Sequence, residues 1–214
     1  MNKDIQALRE NYSYATLDRS DLLTDPIQQF NKWFDEARQA EIVEPNAMTL
    51  STMDGERVYA RIVLLKEVTR EGFVFYTNYE SAKGRQMGAQ PRVALTFLWK
   101  EIERQVRIEG VAQRMSEAQS ATYFKSRPKA SQIGAWVSQQ SSVISDRSIL
   151  ESRKAKLELQ YQDQNTLEKP EHWGGYLVTA DMIEFWQGRE SRLHDRFQYI
   201  ATEDHTWHID RLSP

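Results

Sequence analysis

The spacing of hydrophobic and polar positions changes character several times along the 214-residue chain. The first 25 residues are polar. Asp25-Pro26 then opens a stretch in which Ile27, Phe30, Trp33, Phe34 and Ala37 recur at helical spacing. Asp25 as N-cap, with proline at the first helical position, predicts a helix start there. Residues 48–53 alternate instead, Asp54-Gly55 supplies a turn, and 57–68 returns with Val58, Ile62 and Leu64 among β-formers, which predicts a hairpin. Residues 72–77, 93–99 and 105–112 predict three more strands, with a short helix over 81–90, capped by Ser81, between the first two of them.

Residues 116–162 are helical in character, with breaks near Pro128 and around 138–145. Strands resume at 175–178, 182–186, 196–200 and 207–210. The sum is a mainly β domain with α-helices, its strands antiparallel, and many short strands at close spacing favour a barrel over a layered α/β fold. No Gly-rich strand-to-helix turn is present, so a Rossmann or P-loop reading lacks its key feature. Glycine and proline are scattered, and no repeat or low-complexity tract occurs. The expected organisation is a flexible N-terminal segment, 1–25, and a single domain, 26–214.

Composition narrows the classes. With 28 Lys plus Arg against 31 Asp plus Glu, a net charge of −3 and 40% hydrophobic residues, the chain reads as an ordinary soluble domain long enough to bury its own core. The absence of cysteine excludes disulfides, thiolate metal sites and a cysteine nucleophile, and is compatible with a reducing cytoplasm, the expected location. No apolar run exceeds four residues and the start carries no apolar segment, so neither a membrane span nor a secretion signal is expected. A slightly acidic average argues against a nucleic-acid coat. Aromatic residues make up 11% of the chain, with Trp 6, Tyr 9 and Phe 8; such side chains fill cores and also line sites for planar ligands.

Several stretches could carry chemistry, and each has a plainer reading. Arg61 and Lys66 stand five apart on a strand and so point to opposite faces; they are either charged strand ends or cations serving anions on two sides of the sheet. Ser81-Ala82-Lys83-Gly84-Arg85 opens a helix after a strand, where free N–H groups and the dipole attract phosphate, although basic helix starts are common. Tyr123 and Arg127 share a helical face before Pro128, with Ser131 just beyond. A phenol, a guanidinium and a hydroxyl suit a phosphate monoester, and the alternative is a solvated helix end. Gln140 and Ser141 lie in a polar stretch that reads either as a plain loop or as hydrogen-bonding groups for a ligand. The densest segment runs from Trp186 to Arg196, where three arginines, one histidine and one tryptophan fall within 11 residues. If extended, it puts Arg192, His194 and Arg196 on one side, an arrangement that requires an anion or carboxylates to balance it.

Taken in order, Arg61-Ile-Val-Leu-Leu-Lys66, Phe75-Tyr-Thr-Asn78, Glu103-Arg-Gln-Val106, Tyr123-Phe-Lys-Ser-Arg-Pro128, Ser131-Gln-Ile-Gly-Ala-Trp136, Gln140-Ser141 and Arg192-Leu-His-Asp-Arg-Phe197 resemble the pyridoxamine 5′-phosphate oxidase family over nearly the whole chain. The resemblance implies a homodimer of split β-barrel fold that binds FMN at the subunit interface. It implies oxidation of pyridoxamine 5′-phosphate and pyridoxine 5′-phosphate to pyridoxal 5′-phosphate by hydride transfer to the flavin, with O2 reduced to H2O2. Carried over, the FMN contacts are Arg61, Ile62, Val63, Leu64, Leu65, Lys66, Tyr76, Thr77, Lys83, Gln105, Gln140, Ser141, Trp186 and Arg196. Lys66, Tyr123, Arg127 and Ser131 would hold the substrate phosphate, Arg192 and His194 would be catalytic and lie against the substrate ring, and Arg9 and Tyr12 would fold over it. No metal is implied.

Two departures stand out. Ser81-Ala82-Lys83 lacks a cation that similar sequences carry at position 82, and Arg85, one turn on, is the candidate to replace it. Arg189-Glu190-Ser191 stands where relatives often have Gly-Glu-His, which leaves Arg192 and His194 intact and reshapes the entrance. Competing readings are another split-barrel flavoprotein, such as a flavin reductase, and a protein that binds pyridoxal 5′-phosphate without turning it over. The phosphate set and the Arg192, His194 pair argue against the first, and turnover with oxygen consumption would exclude the second. A nucleic-acid module is more distant, because the basic residues form separated short motifs.

Overall fold

The computed structural model describes residues 10–214. In chain order the elements are α1 (Pro26–Gln39), β1 (Ala47–Asp54), β2 (Arg57–Thr69), β3 (Gly72–Asn78), α2 (Ala82–Ala89), β4 (Arg92–Trp99), β5 (Arg104–Arg114), α3 (Glu117–Ser126), α4 (Lys129–Val137), α5 (Ser148–Gln160), β6 (Trp173–Gln187), β7 (Asp195–Ala201) and β8 (Trp207–Leu212). The eight strands form one sheet in the order β3-β2-β1-β4-β5-β6-β7-β8, and a further pairing of β3 with β6 closes the first six on themselves. This is the antiparallel split-barrel topology, mainly β with α, that the sequence predicts.

Local chemistry explains most of the boundaries. The Asp25 carboxylate accepts from the Ile27 N–H at 2.8 Å, and Pro26 occupies the first helical turn of α1. Phe30, Trp33 and Ala37 are buried along that helix. In β1, Met48, Leu50 and Thr52 are buried in alternation with partly exposed neighbours, as a half-buried strand requires. The run 72–77 is apolar without alternation, and β3 is correspondingly buried almost throughout, hydrogen-bonded to β2 on one side and β6 on the other.

One prediction needs correction. The strands expected at 175–178 and 182–186 are a single strand, β6, of 15 residues. Its first part pairs with β3 through 173–178 and its last with β7 through 182–187. The polar interval at Thr179-Ala180-Asp181 marks a change of partner, which a local pattern cannot distinguish from a turn.

Contacts divide the chain into two compact units. The first comprises 94–110, 180–214 and the chain up to 49. Its core is aromatic: Phe30 meets Phe97 with ring centroids 5.0 Å apart, and Trp33 meets Phe185 edge-on at 5.1 Å. The Arg104 guanidinium lies 4.3 Å above the Trp33 ring and donates to Gln187 Oε1 and to the Glu36 carboxylate. Residues 10–25, expected to be flexible, include a 3-10 turn at Arg19–Asp21 with a capping box, and Leu17 is buried.

The second unit comprises 50–93 and 111–179. Phe73, Val74, Phe75, Tyr176 and Val178 form one part of its core, and Phe124, Ile133, Val137, Leu167 and Trp173 form another. Gly84 sits where α2 touches the end of β3: a Cβ there would lie 2.2 Å from the Tyr79 carbonyl oxygen, so only glycine lets the first turn of the helix approach so closely. No helix of the described residues is long and apolar enough to cross a membrane.

Candidate active site

In the second unit, α2 starts where β3 ends. Ser81 Oγ accepts from the Gly84 N–H at 3.2 Å and donates to the Asn78 carbonyl at 2.7 Å, which fixes the helix start against the strand end. Lys83 is thereby directed to Gln140 Oε1 at 2.9 Å and to Thr77 Oγ1 and Ser81 Oγ, both at 3.3 Å. Arg61, on β2, donates to Thr52 Oγ1 at 2.6 Å, the Leu50 carbonyl at 3.1 Å and Gln86 Oε1 at 3.0 Å. Every one of these acceptors is neutral. Burial, with the positive charge of Arg61 adding to it, pushes Lys83 down to about 8, and burial lowers Arg61 as well. Two part-buried cations that feel each other without a carboxylate between them form a site that favours an anion.

A cavity of about 410 Å³ in the same unit brings together Lys66, Tyr123, Arg127 and Ser131, the four residues expected at a substrate phosphate, along with Tyr76, Thr77 and Gln140. The Tyr76 and Tyr123 rings stack with centroids 3.8 Å apart and planes inclined by 17°. Burial pushes Tyr76 up to about 12 and raises Tyr123 too, against the pull of Arg127, so both phenols keep their protons at neutral pH. Arg127 ends α3, with its guanidinium 4.7 Å over the Trp173 ring. Its Nη1 is buried and has no hydrogen-bond partner. Burial lowers its pKa.

The corner between α3 and α4 depends on a residue that the sequence motifs contained without giving it a role. Gln132 is fully buried, donates to the carbonyls of Arg127 at 2.8 Å and Lys125 at 3.3 Å, and accepts from the Leu167 N–H at 2.6 Å. One amide satisfies three backbone groups and so fixes the end of the helix that carries Arg127. Its place beside Ser131, just past a helix-ending proline, was the only available signal.

The first unit carries Tyr12, Gln105, Trp186, Arg192, His194 and Arg196. Tyr12, Gln105 and Trp186 line a cavity of about 350 Å³ with Leu98, Lys100 and Glu103. His194 lies against Trp186 at 4.6 Å between centroids, and Tyr12 is 5.8 Å from Trp186 and 5.7 Å from His194. Tyr14 N–H donates to the Glu103 carboxylate at 2.9 Å, holding the segment that bears Tyr12. Arg9 lies outside the described residues.

The segment 186–196 is not extended throughout, so the condition under which Arg192, His194 and Arg196 share one side is not met. Glu190–Arg192 forms a 3-10 turn in which Ser191 and Arg192 both take left-handed backbone angles, φ 55° and 62°, so Arg192 and His194 precede β7 and only Arg196 belongs to it. The balance the segment requires is met partly by carboxylates. Arg196 pairs with Glu184 at 2.8 Å, Arg107 pairs with the same buried Glu184 at 2.8 Å, and Arg189 pairs with Asp195 at 2.7 Å.

Of the other expected contacts, Leu65 is buried, Val63 and Leu64 are part-buried, and Ile62 and Ser141 are exposed. Arg85 donates to the Glu80 carbonyl and lines, with Ala82, Asp54 and Tyr59, a separate cavity of about 460 Å³.

Residues 34–161 match the family model described as pyridoxamine 5′-phosphate oxidase, and residues 173–214 match the pyridoxine 5′-phosphate oxidase C-terminal dimerisation region. A pyridoxine/pyridoxamine 5′-phosphate oxidase of Paraburkholderia phytofirmans is 52% identical over 209 residues, covering 97% of each chain. One from Burkholderia multivorans is 53% identical over 210 residues, again covering 97% of each. Among solved structures, PhzG from Burkholderia lata, crystallised with tetrahydrophenazine-1-carboxylic acid, superposes with a TM-score of 0.89 at 25% identity, covering 96% of this chain and all of that one. An FMN-binding protein from Nostoc punctiforme shares the fold at a TM-score of 0.71 and 14% identity, over 90% of this chain and all of the other.

Proposed function

The chain belongs to the pyridoxamine 5′-phosphate oxidase family, and from that premise we propose that it oxidises pyridoxamine 5′-phosphate and pyridoxine 5′-phosphate to pyridoxal 5′-phosphate in the cytoplasm. The observation that carries this reading is the buried, unpartnered Nη1 of Arg127 in a cavity shared with Lys66, Tyr123 and Ser131. A phosphate monoester supplies the charge and the acceptor oxygens that such a group lacks.

The residues fit a second phosphorylated ligand, FMN. Arg61 and Lys83 donate to neutral acceptors and supply a second pair of cations in addition to Lys66 and Arg127. FMN, when bound there, would supply the acceptor for the two electrons removed from the substrate, with O2 as the final oxidant and H2O2 as its product. Everything else is the work of the chain. Arg61 and Lys83 hold one phosphate, while Lys66, Tyr123, Arg127 and Ser131 hold the other, so that each ligand is fixed at its charged end and the two rings meet in a set orientation. Tyr123 donates its hydroxyl hydrogen, since it stays protonated at neutral pH. Arg192 and His194 orient the substrate ring and stabilise charge at its reacting substituent.

In this reading the molecule is a homodimer, and Gln105, Trp186 and Arg196 complete the flavin site across the interface. The match of 173–214 to a dimerisation region and the exposed apolar side chains Val58, Ile62 and Leu98 support that assignment. A second reading, oxidation of a phenazine-type carboxylic acid, comes from the likeness to PhzG. A flavin spectrum separates the two. The purified protein should be yellow, bleach on anaerobic addition of pyridoxine 5′-phosphate and recover in air. Bleaching only with tetrahydrophenazine-1-carboxylic acid would reverse the assignment.

A further inference from the structure

His194 is held through one ring nitrogen. The backbone N–H of Arg189 points at His194 Nδ1, 3.1 Å away. A peptide nitrogen only donates, so Nδ1 is the acceptor and carries no hydrogen. In the neutral ring the hydrogen therefore sits on Nε2.

The donor is fixed from both sides. Gly188 N–H donates to the Glu103 carbonyl at 2.7 Å, and the Arg189 guanidinium is tied to Asp195 Oδ2 at 2.7 Å. Asp195 is buried and also accepts from the Leu17 N–H at 3.1 Å and from Arg211 at 3.2 Å, so its carboxylate is itself immobilised. Protonating Nδ1 would turn one hydrogen bond into two opposed N–H groups. Burial and the neighbouring Arg192 lower the pKa of His194, against Asp195, which favours the same neutral ring. A 180° flip of the ring would keep its place against Trp186 and Tyr12 but would set Cδ2 where Nδ1 stands and leave the Arg189 N–H without its acceptor, so the hydrogen bond selects the orientation.

We infer that His194 takes part in the oxidation as a neutral ring that donates a hydrogen bond from Nε2 to the substrate, and that it is not the group that accepts a proton from it. This rests on reading the site as that of a vitamin B6 phosphate oxidase. Nδ1 is committed to the backbone and Nε2 already bears its hydrogen, so the ring has no lone pair to offer. Arg189 is then a positioning residue, setting the tautomer through its peptide group.

Nitrogen-15 NMR of histidine-labelled full-length protein tests the tautomer directly, with the His194 signals assigned by their loss in His194→Gln. At about pH 7.5 we expect Nδ1 to resonate as an unprotonated and Nε2 as a protonated ring nitrogen. A protonated Nδ1 would overturn the inference. The role is tested by two variants: glutamine places its amide donor near the Nε2 position, and asparagine places its amide near Nδ1. His194→Gln should turn over pyridoxine 5′-phosphate at least about tenfold faster than His194→Asn. Equal rates, or a faster asparagine variant, would refute the donor role. A wild-type protein that oxidises neither B6 phosphate would instead overturn the functional reading, and the NMR result would still decide the tautomer.

Discussion

Lys83 Nζ donates to Gln140 Oε1 at 2.9 Å, a cation matched to a neutral amide 57 residues away rather than to a carboxylate. Because Lys83 is depressed to about 8, it is largely uncharged above that pH in the ligand-free chain. A phosphate raises the value by stabilising the ammonium. FMN binding should therefore take up a proton from about pH 8 up to the bound-state pKa, with affinity falling by up to about tenfold per pH unit there. Below that window the lysine is charged beforehand and the slope vanishes. Calorimetric titration with FMN in buffers of different ionisation heat reads the proton directly, and Lys83→Met should remove it. In the ligand-free chain the same depression from 10.5 gives a stability contribution present above about 10.5 and lost as pH falls to about 8.

Arg127→Met tests the substrate phosphate site. Losing charge-assisted hydrogen bonds worth about 1.5–3 kcal/mol should raise KM for pyridoxine 5′-phosphate by roughly 10- to 150-fold. Activity on unphosphorylated pyridoxine should not change. Since Nη1 is already buried without a partner, Tm of the ligand-free variant should stay the same or rise. A fall in Tm with unchanged KM would mean that the guanidinium serves packing alone.

Gln132→Ala should destabilise the chain by about 2–4 kcal/mol, because it strands the Leu167 N–H and the carbonyls of Lys125 and Arg127 in a buried corner. Urea unfolding measures the loss. KM for phosphorylated substrate should rise with it, since the end of α3 is what aims Arg127.

Glu184→Gln removes the charge shared by Arg107 and Arg196. With the carboxylate 2% exposed but its partners partly solvated, we expect a cost of about 2–3 kcal/mol and weaker FMN binding through Arg196. Arg196 donates to Glu184, which raises its pKa; without that carboxylate the guanidinium falls back toward its ordinary value, still far above neutral, so the FMN affinity of the variant should show no new pH dependence.

Much of the fold could be read locally. The Asp25-Pro26 start of α1, the Ser81 cap of α2 and the alternation in β1 are each written within a few adjacent residues. What could not be read depends on distant partners. The single course of β6 is set by a neighbour 100 residues earlier, and the turn at Ser191 and Arg192 replaces an extended arrangement that alternation alone could not exclude. The phosphate-type cluster was legible because Tyr123, Arg127 and Ser131 sit one helical turn apart around a proline. Glu184, by contrast, is linked to Arg196 only through the register of β6 and β7, in which Arg196 lies opposite Trp186.

The Asp195 carboxylate has a practical consequence for handling the protein. Arg211, on β8, binds both Asp195 and Asp18, while the Ser213 carbonyl accepts from Arg196. The segment at 17–18 and the end of the chain past β8 are thus both tied to the start of β7. Trimming from residue 211 onward would untie Asp18 and leave Asp195, which holds the Leu17 N–H, without one of its arginines, so an affinity handle at the C-terminal side belongs behind a long spacer, and its removal should be judged by fluorescence of Trp186 beside Tyr12, not by yield.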